Sequence, residues 1–238
     1  MPDLSVDDAI VFVIDNQVPI LFCDTCALLD LIRLPYRYDS HTQAATILRS
    51  AQSIYIATTN NIMHLILPPL VENEWNKHSN SILLESKKHF ETLNHQIQVA
   101  NTLTEVFGKS VDYIDYASFQ LPESLYNLSE NLLNISTKLV ERDDIVYKAS
   151  TRTITDTAPA RKGKGHKDCI IYEHSLHIMQ EIRSHNITQP LIFMTSNTKD
   201  FCDISGNLKD PIASELSSLS AVLTTEWNWA LHELGISS

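Results

Sequence analysis

Three short apolar runs, separated by long stretches of helical periodicity, restrict this chain more than anything else in it. Ile20-Leu21-Phe22, Met63-His-Leu-Ile-Leu67 and Pro190-Leu-Ile-Phe-Met-Thr195 have the length and composition of buried strands. Between them, apolar residues recur at helical spacing, as in Ala44, Ala45, Ile47, Leu48 and Ala51, or Ile170, Ile171, Leu176, Ile178, Met179 and Ile182. A fourth strand is expected at Ala221-Val-Leu-Thr224, followed by a closing helix over 225–234. Strands alternating with helices predict an α/β protein with a mainly parallel central sheet flanked by helices.

Local signals set the expected boundaries. Ser5-Val-Asp-Asp opens a helix to about residue 17, with Asp7 and Asp8 favouring its positive end. Ala27, Leu28, Leu29, Leu31 and Ile32 form a second helix, which Pro35-Tyr-Arg-Tyr38 is expected to break, and Asp39 or Ser40 starts a third. Pro69 suits the first turn of a helix carrying Glu72, Glu74 and Trp75 and continuing to about residue 107, stopped by Gly108. A second helical block covers about 122–142, and the Thr/Ser-rich stretch 147–167 reads as an exposed basic loop. The chain is therefore expected to form one domain, 1–238, with a helical insertion at about 80–165 between the second and third main strands.

Acidic residues stand where such a sheet places its chemistry. Asp24 ends the first strand just before a helix, and Glu72 and Glu74 lie in the helix after the second. Asp168 starts the helix leading to the third strand, and Asp200 follows that strand. At strand carboxyl ends these can converge on one edge, although Asp24 alone would serve equally well as a helix cap. Converging carboxylates cannot all stay ionised unless positive charge sits among them. Oxygen ligands without clustered histidines suit Mg²⁺ or Mn²⁺, which would polarise a phosphoryl group and activate water.

Four segments in order, Leu21-Phe-Cys-Asp-Thr-Cys-Ala-Leu-Leu, Pro69-Leu-Val-Glu-Asn-Glu-Trp, His166-Lys-Asp-Cys-Ile-Ile-Tyr-Glu and Phe193-Met-Thr-Ser-Asn-Thr-Lys-Asp-Phe, resemble the PIN-domain nucleases. The resemblance implies a metal-dependent endonuclease, most often acting on RNA, with Asp24, Glu74, Asp168 and Asp200 as the catalytic and metal-binding acids. Many relatives are toxins of toxin–antitoxin pairs or RNA-processing enzymes, so tRNA or mRNA, an antitoxin or larger complex, and a homo-oligomer are the implied partners. Asn197 stands where some relatives carry Asp, which leaves Asp200 either binding a cation through water or serving structurally. Glu72 and Glu74 point about 200° apart on a helix, so only one can face the site; the resemblance, in which an apolar residue follows the acid as Trp75 follows Glu74, implies the latter. The alternatives are an inactive or partner-dependent PIN-like module and a phosphatase of small phosphoesters. Against the phosphatase, Asp24-Thr25-Cys26 lacks a second Asp two residues on.

Charge limits the RNA reading. With 18 Lys and Arg against 29 Asp and Glu, the net charge is −11, whereas phosphate binding demands a basic field. Local clusters must supply it: Arg161, Lys162, Lys164, His166 and Lys167 beside Asp168, and Lys199, with Arg33 and Arg37 as further candidates. Thr195 is a candidate for orienting water and Glu173 for reaching a second cation, though turn formation and an outer supporting position explain them as well. Tyr36, Tyr38, Trp75, Trp227 and Trp229 either stack on bases or pack in the core. Cys23, Cys26, Cys169 and Cys202 are expected as small buried hydrophobes, with a four-thiolate zinc site as the alternative. No apolar segment is long enough to span a membrane and no secretory signal is visible, so a cytoplasmic protein is expected.

Overall fold

The computed structural model describes residues 3–37, 41–109 and 114–236. Ten helices and five strands follow in the order α1 (Val6–Asp15), β1 (Ile20–Cys23), α2 (Thr25–Arg37), α3 (His41–Thr59), β2 (His64–Leu67), α4 (Val71–Val106), α5 (Leu121–Ile135), β3 (Thr137–Lys138), α6 (Asp143–Ile154), α7 (His166–Ser184), β4 (Leu191–Met194), α8 (Thr198–Phe201), α9 (Ile212–Ser218), β5 (Ala221–Thr224) and α10 (Trp227–Glu233) among the described residues. The sheet is parallel throughout, in the order β3-β2-β1-β4-β5. Every residue of β1, β2 and β4 is buried, which is why these strands read as continuous apolar runs. From β1 the chain winds to β2 on one side, then returns to lay β4 on the other. The carboxyl end of β1 is thus a switch point, where an open sheet leaves a crevice.

The stretch 80–165 differs from a purely helical insertion. It contributes β3 to the sheet edge, pairing Ile66 with Thr137 and Leu67 with Lys138. Two residues, one of them lysine, carry no apolar run that could announce a strand. Its helix α5 buries Leu132 and Leu133 in the main core and packs on α2 and α4. The buried hydroxyl of Ser129 clasps all three helices: Trp75 Nε1 donates to it at 2.8 Å, and it donates to the Leu28 carbonyl at 2.8 Å. Ser129→Ala orphans a buried indole N–H, so we expect a loss of about 1–3 kcal/mol in urea denaturation.

Two further boundaries depart from expectation. Helix α2 continues past Pro35 to Arg37, whose guanidinium is tied back to Asp30. Residues 147–154 are helix and not loop, because Ile145, Ala149 and Arg152 are buried at helical spacing. The hydroxyls that suggested a loop donate to carbonyls one turn back, Ser150 to Val146, Thr151 to Tyr147 and Thr153 to Ala149. Tyr38, Asp39 and Ser40 lie outside the described residues. No described helix is long and apolar enough to cross a membrane.

Candidate active site

Asp24 sits where β1 gives way to α2. Its backbone N–H still donates to Met194 across the ladder, at 2.9 Å, before Thr25 begins the helix. The side chain is only 4% exposed. Thr195 Oγ1 donates to Asp24 Oδ2 at 2.7 Å and Cys26 Sγ to the same oxygen at 3.0 Å. Burial pushes the Asp24 carboxyl above its usual range, opposed by the Cys26 and Thr195 hydrogen bonds and reinforced by Glu74. Thr195 therefore holds the carboxylate in place, while also accepting from the Asn197 N–H at 3.1 Å.

Helix α4 decides between the two glutamates. Val71 and Trp75, one turn apart, are buried and fix its rotation. Glu74 is thereby brought to the β1 end, accepting from Thr25 Oγ1 at 3.2 Å and pairing with Lys167 Nζ at 2.6 Å. Glu72 turns to the other side and pairs with Lys138 of β3.

Asp168 and Asp200 come from the remaining edge. Asp168 occupies the first turn of α7, where the helix dipole favours a carboxylate. The turn into that helix needs Gly165, whose φ of +86° disfavours a side chain, and an added Cβ would stand 3.4 Å from Asp168 Oδ2. Asn197 bridges the two acids, its Nδ2 donating to Asp168 Oδ1 at 3.2 Å and to Asp200 Oδ2 at 2.8 Å. The Asp168 carboxyl is pushed up to about 6, first by burial and then by Asp24, Asp200 and Glu74, against the lowering effect of Asn197. The four acids form one electrostatic unit.

As they stand, no three His, Cys, Asp or Glu side chains among the described residues are grouped to hold a metal ion. The Lys167 ammonium pairs with Glu74, and the neutral Asn197 amide hydrogen-bonds Asp168 and Asp200. The donor chemistry nevertheless fits a hard divalent cation, being oxygen only, desolvated and strained by mutual repulsion.

The other candidates divide sharply. Arg161, Lys162 and Lys164 are exposed on the turn before α7, His166 and Lys167 on its first turn, and Lys199 on α8. His166 Nδ1 shares a 3.2 Å hydrogen bond with Thr153. Glu173 does not reach the acidic edge, because the buried Arg152 holds it from the other side of α7. Arg33 and Arg37 are likewise spent, both pairing with the buried Asp30. All four cysteines are free; Cys23, Cys169 and Cys202 are buried, whereas Cys26 is a partner of Asp24. Trp75 and Trp227 are core residues, and Trp229 is half-exposed.

Two contributions near the site were not foreseen from sequence: the hydrogen bonds of Cys26, considered only as a buried hydrophobe or zinc ligand, and the buried Asp30. Cys26 also accepts from the Ser196 N–H at 3.1 Å, joining the β1 and β4 ends. Asp30 is buried in α2, its carboxyl raised by burial despite the nearby Ser196, Arg37 and Arg33. An aspartate inside Leu28-Leu29-Asp30-Leu31-Ile32, with arginines three and seven residues on, was the available signal.

A family model described as PIN domain matches residues 21–201. No curated protein and no solved structure matches the chain significantly.

Proposed function

That match means that the chain belongs to the PIN-domain family, whose members are generally nucleases, and on this premise we propose that it is a Mg²⁺- or Mn²⁺-dependent endoribonuclease. The observation that carries the reading is the placing of Asp24, Glu74, Asp168 and Asp200 at the sheet's switch point, where burial first, and then the charges of Asp24, Asp200 and Glu74, push the Asp168 carboxyl to about 6. Asp24 and Asp168 would hold the cation, with Glu74 beside it and Asp200 reaching it through water. When bound, the cation supplies positive charge against the phosphoryl oxygens and lowers the pKa of water.

The chain's own groups do the rest. Thr195 and Cys26 fix Asp24 so that its carboxylate need not reorganise. Glu74, already hydrogen-bonded to Thr25, is the proton acceptor for the attacking water. Lys167 neutralises Glu74 in the free protein and meets the substrate phosphate when RNA arrives. The residues Arg161, Lys162, Lys164, His166 and Lys199 add the local positive field that the −11 chain otherwise lacks. A toxin or defence effector cutting tRNA or mRNA in the cytoplasm, restrained by an antitoxin, extends this reading from the family alone.

A second reading is a PIN-like module that is inactive alone or depends on a partner. It is favoured by Lys167 and Asn197, which already answer part of the acids' charge. Incubating the protein with total RNA, with Mg²⁺, Mn²⁺ or chelator, separates the two. We expect discrete metal-dependent fragments, reduced roughly a thousandfold in rate by Asp24→Asn. Fragments that persist in chelator or in Asp24→Asn would refute the proposed site, and no cleavage together with no cation binding would favour the partner-dependent module.

A further inference from the structure

Two clefts adjoin beside α8, sharing Cys202, Gly206 and Thr225 in their walls. The larger, of about 780 Å³, lies between Arg161 on the turn before α7 and Lys199 and Lys209. The smaller, of about 340 Å³, extends to Trp229 on α10. One end of this joint groove is lined by Lys199, the chain neighbour of Asp200 in α8, and the other by an aromatic ring.

Its charge runs against that of the whole molecule. Arg161 and Lys199 are exposed and make no ion pair among the described residues. Lys209 Nζ donates to the carbonyls of Lys199, at 2.7 Å, and Asp200, at 2.9 Å. These partners are neutral, so its charge is not cancelled. The acid in the larger cleft, Asp203, accepts from the N–H groups of Ser205 at 2.8 Å and Asn207 at 3.0 Å and keeps its charge, so three cations face one carboxylate there, while Glu226 lines the smaller cleft. Three cations around one cleft, in a chain of net charge −11, make a local site for phosphates.

Trp229 supplies a different kind of contact. It is 51% exposed, whereas Trp75 is 2% and Trp227 4% exposed. The ring stacks on His232, with centroids 5.2 Å apart and planes inclined by 20°. An indole braced by an imidazole and left half in solvent is a platform for another flat ring.

We propose that this groove is the path of an unpaired RNA strand leaving the acidic edge, its phosphates taken by Arg161, Lys199 and Lys209 and a base stacked on Trp229. The inference rests on the ribonuclease reading of the neighbouring acids and adds a selection rule to it. Bases in a duplex are already stacked on each other and cannot reach Trp229, so single-stranded segments are preferred.

Fluorescence anisotropy in chelator tests this without cleavage, using a labelled oligouridylate and a blunt RNA duplex of equal length. The full chain is expected to bind the single strand more tightly. Trp229→Ala weakens that binding roughly tenfold, and Trp229→Phe recovers part of it. Arg161→Gln and Lys199→Gln each flatten the logarithmic salt dependence by about 0.7. Melting temperatures of the variants, expected to match the parent, guard against misfolding. Duplex preference, absence of RNA binding, or unchanged affinity in the folded variants would overturn the groove. Cleavage by the parent with unchanged affinity in the variants overturns the groove and leaves the nuclease standing. The expected binding pattern without any metal-dependent cleavage supports the groove and removes the nuclease.

Discussion

Asp168→Asn is expected to slow RNA cleavage by about a hundredfold or more and, in chelator, to raise the melting temperature. Burial and the charges of Asp24, Asp200 and Glu74 hold the Asp168 carboxyl at about 6 in the folded chain, against a reference value of 3.8. A folded-state pKa above the unfolded one means that the native protein binds the proton more tightly. Stability must then rise as pH falls from 7 through 6 towards 4, and at neutral pH the ionised Asp168 works against folding. Asparagine keeps the shape and removes the charge. Discounted for partial exposure, the gain is on the order of 1–2 kcal/mol, or a few degrees in a domain of this size.

The same substitution takes away a carboxylate proposed to hold the cation, so cleavage should fall roughly a hundred- to ten-thousandfold. Divalent cation should reverse the stability order, because binding to the native state stabilises the parent and not the variant. Thermal melts with and without Mg²⁺, between pH 5 and 8, check each part. A variant less stable than the parent in chelator, or one that cleaves RNA at close to the parent's rate, would sink the idea that Asp168 is strained for function.

The residues in this argument were legible in sequence because the fold puts chemistry at strand ends. Asp24 follows a buried apolar run directly, Asp200 lies in the short helix after another, and Asp168 stands in the first turn of a helix at the place where a sheet edge can use it. The preference for Glu74 over Glu72 rested on the resemblance, which has an apolar residue such as Trp75 after the acid; the burial of Val71 and Trp75, which sets the rotation of the helix, is visible only in the structure. What stayed hidden depends on contacts without local periodicity. β3 is two residues long and polar at Lys138, so only its pairing with β2 identifies it. Helix α6 is disguised by Thr and Ser, whose hydroxyls are satisfied within the helix itself. Glu173 was a reasonable candidate from its place just after Asp168, and only the position of Arg152, 21 residues earlier, shows that it faces elsewhere.

Removing the Arg152 guanidinium is expected to cost the fold about 3–5 kcal/mol, among the largest losses available to a single substitution. Arg152, 7% exposed on α6, pairs with Glu173 on α7 and Glu215 on α9. It also donates to the Ala158 carbonyl at 2.7 Å and lies 5.1 Å from the centre of the Tyr172 ring, whose hydroxyl donates to Glu215 at 3.0 Å. Arg152→Met fills much of the volume yet leaves Glu173 buried without its cation. The cost is that of an orphaned charge more than of a lost bond, and this distinction can be measured. Adding Glu173→Gln should recover part of the loss, giving a coupling of about 1–3 kcal/mol between the two positions in urea denaturation. Because Arg152 also holds the Ala158 carbonyl, next to Pro159 and Ala160 that pack against Gly165 ahead of Asp168, cleavage should weaken in the single variant even where it remains folded. Strictly additive losses, or a single-variant loss below about 1 kcal/mol, would show that solvent already reaches these carboxylates and that α6, α7 and α9 are held by apolar packing alone.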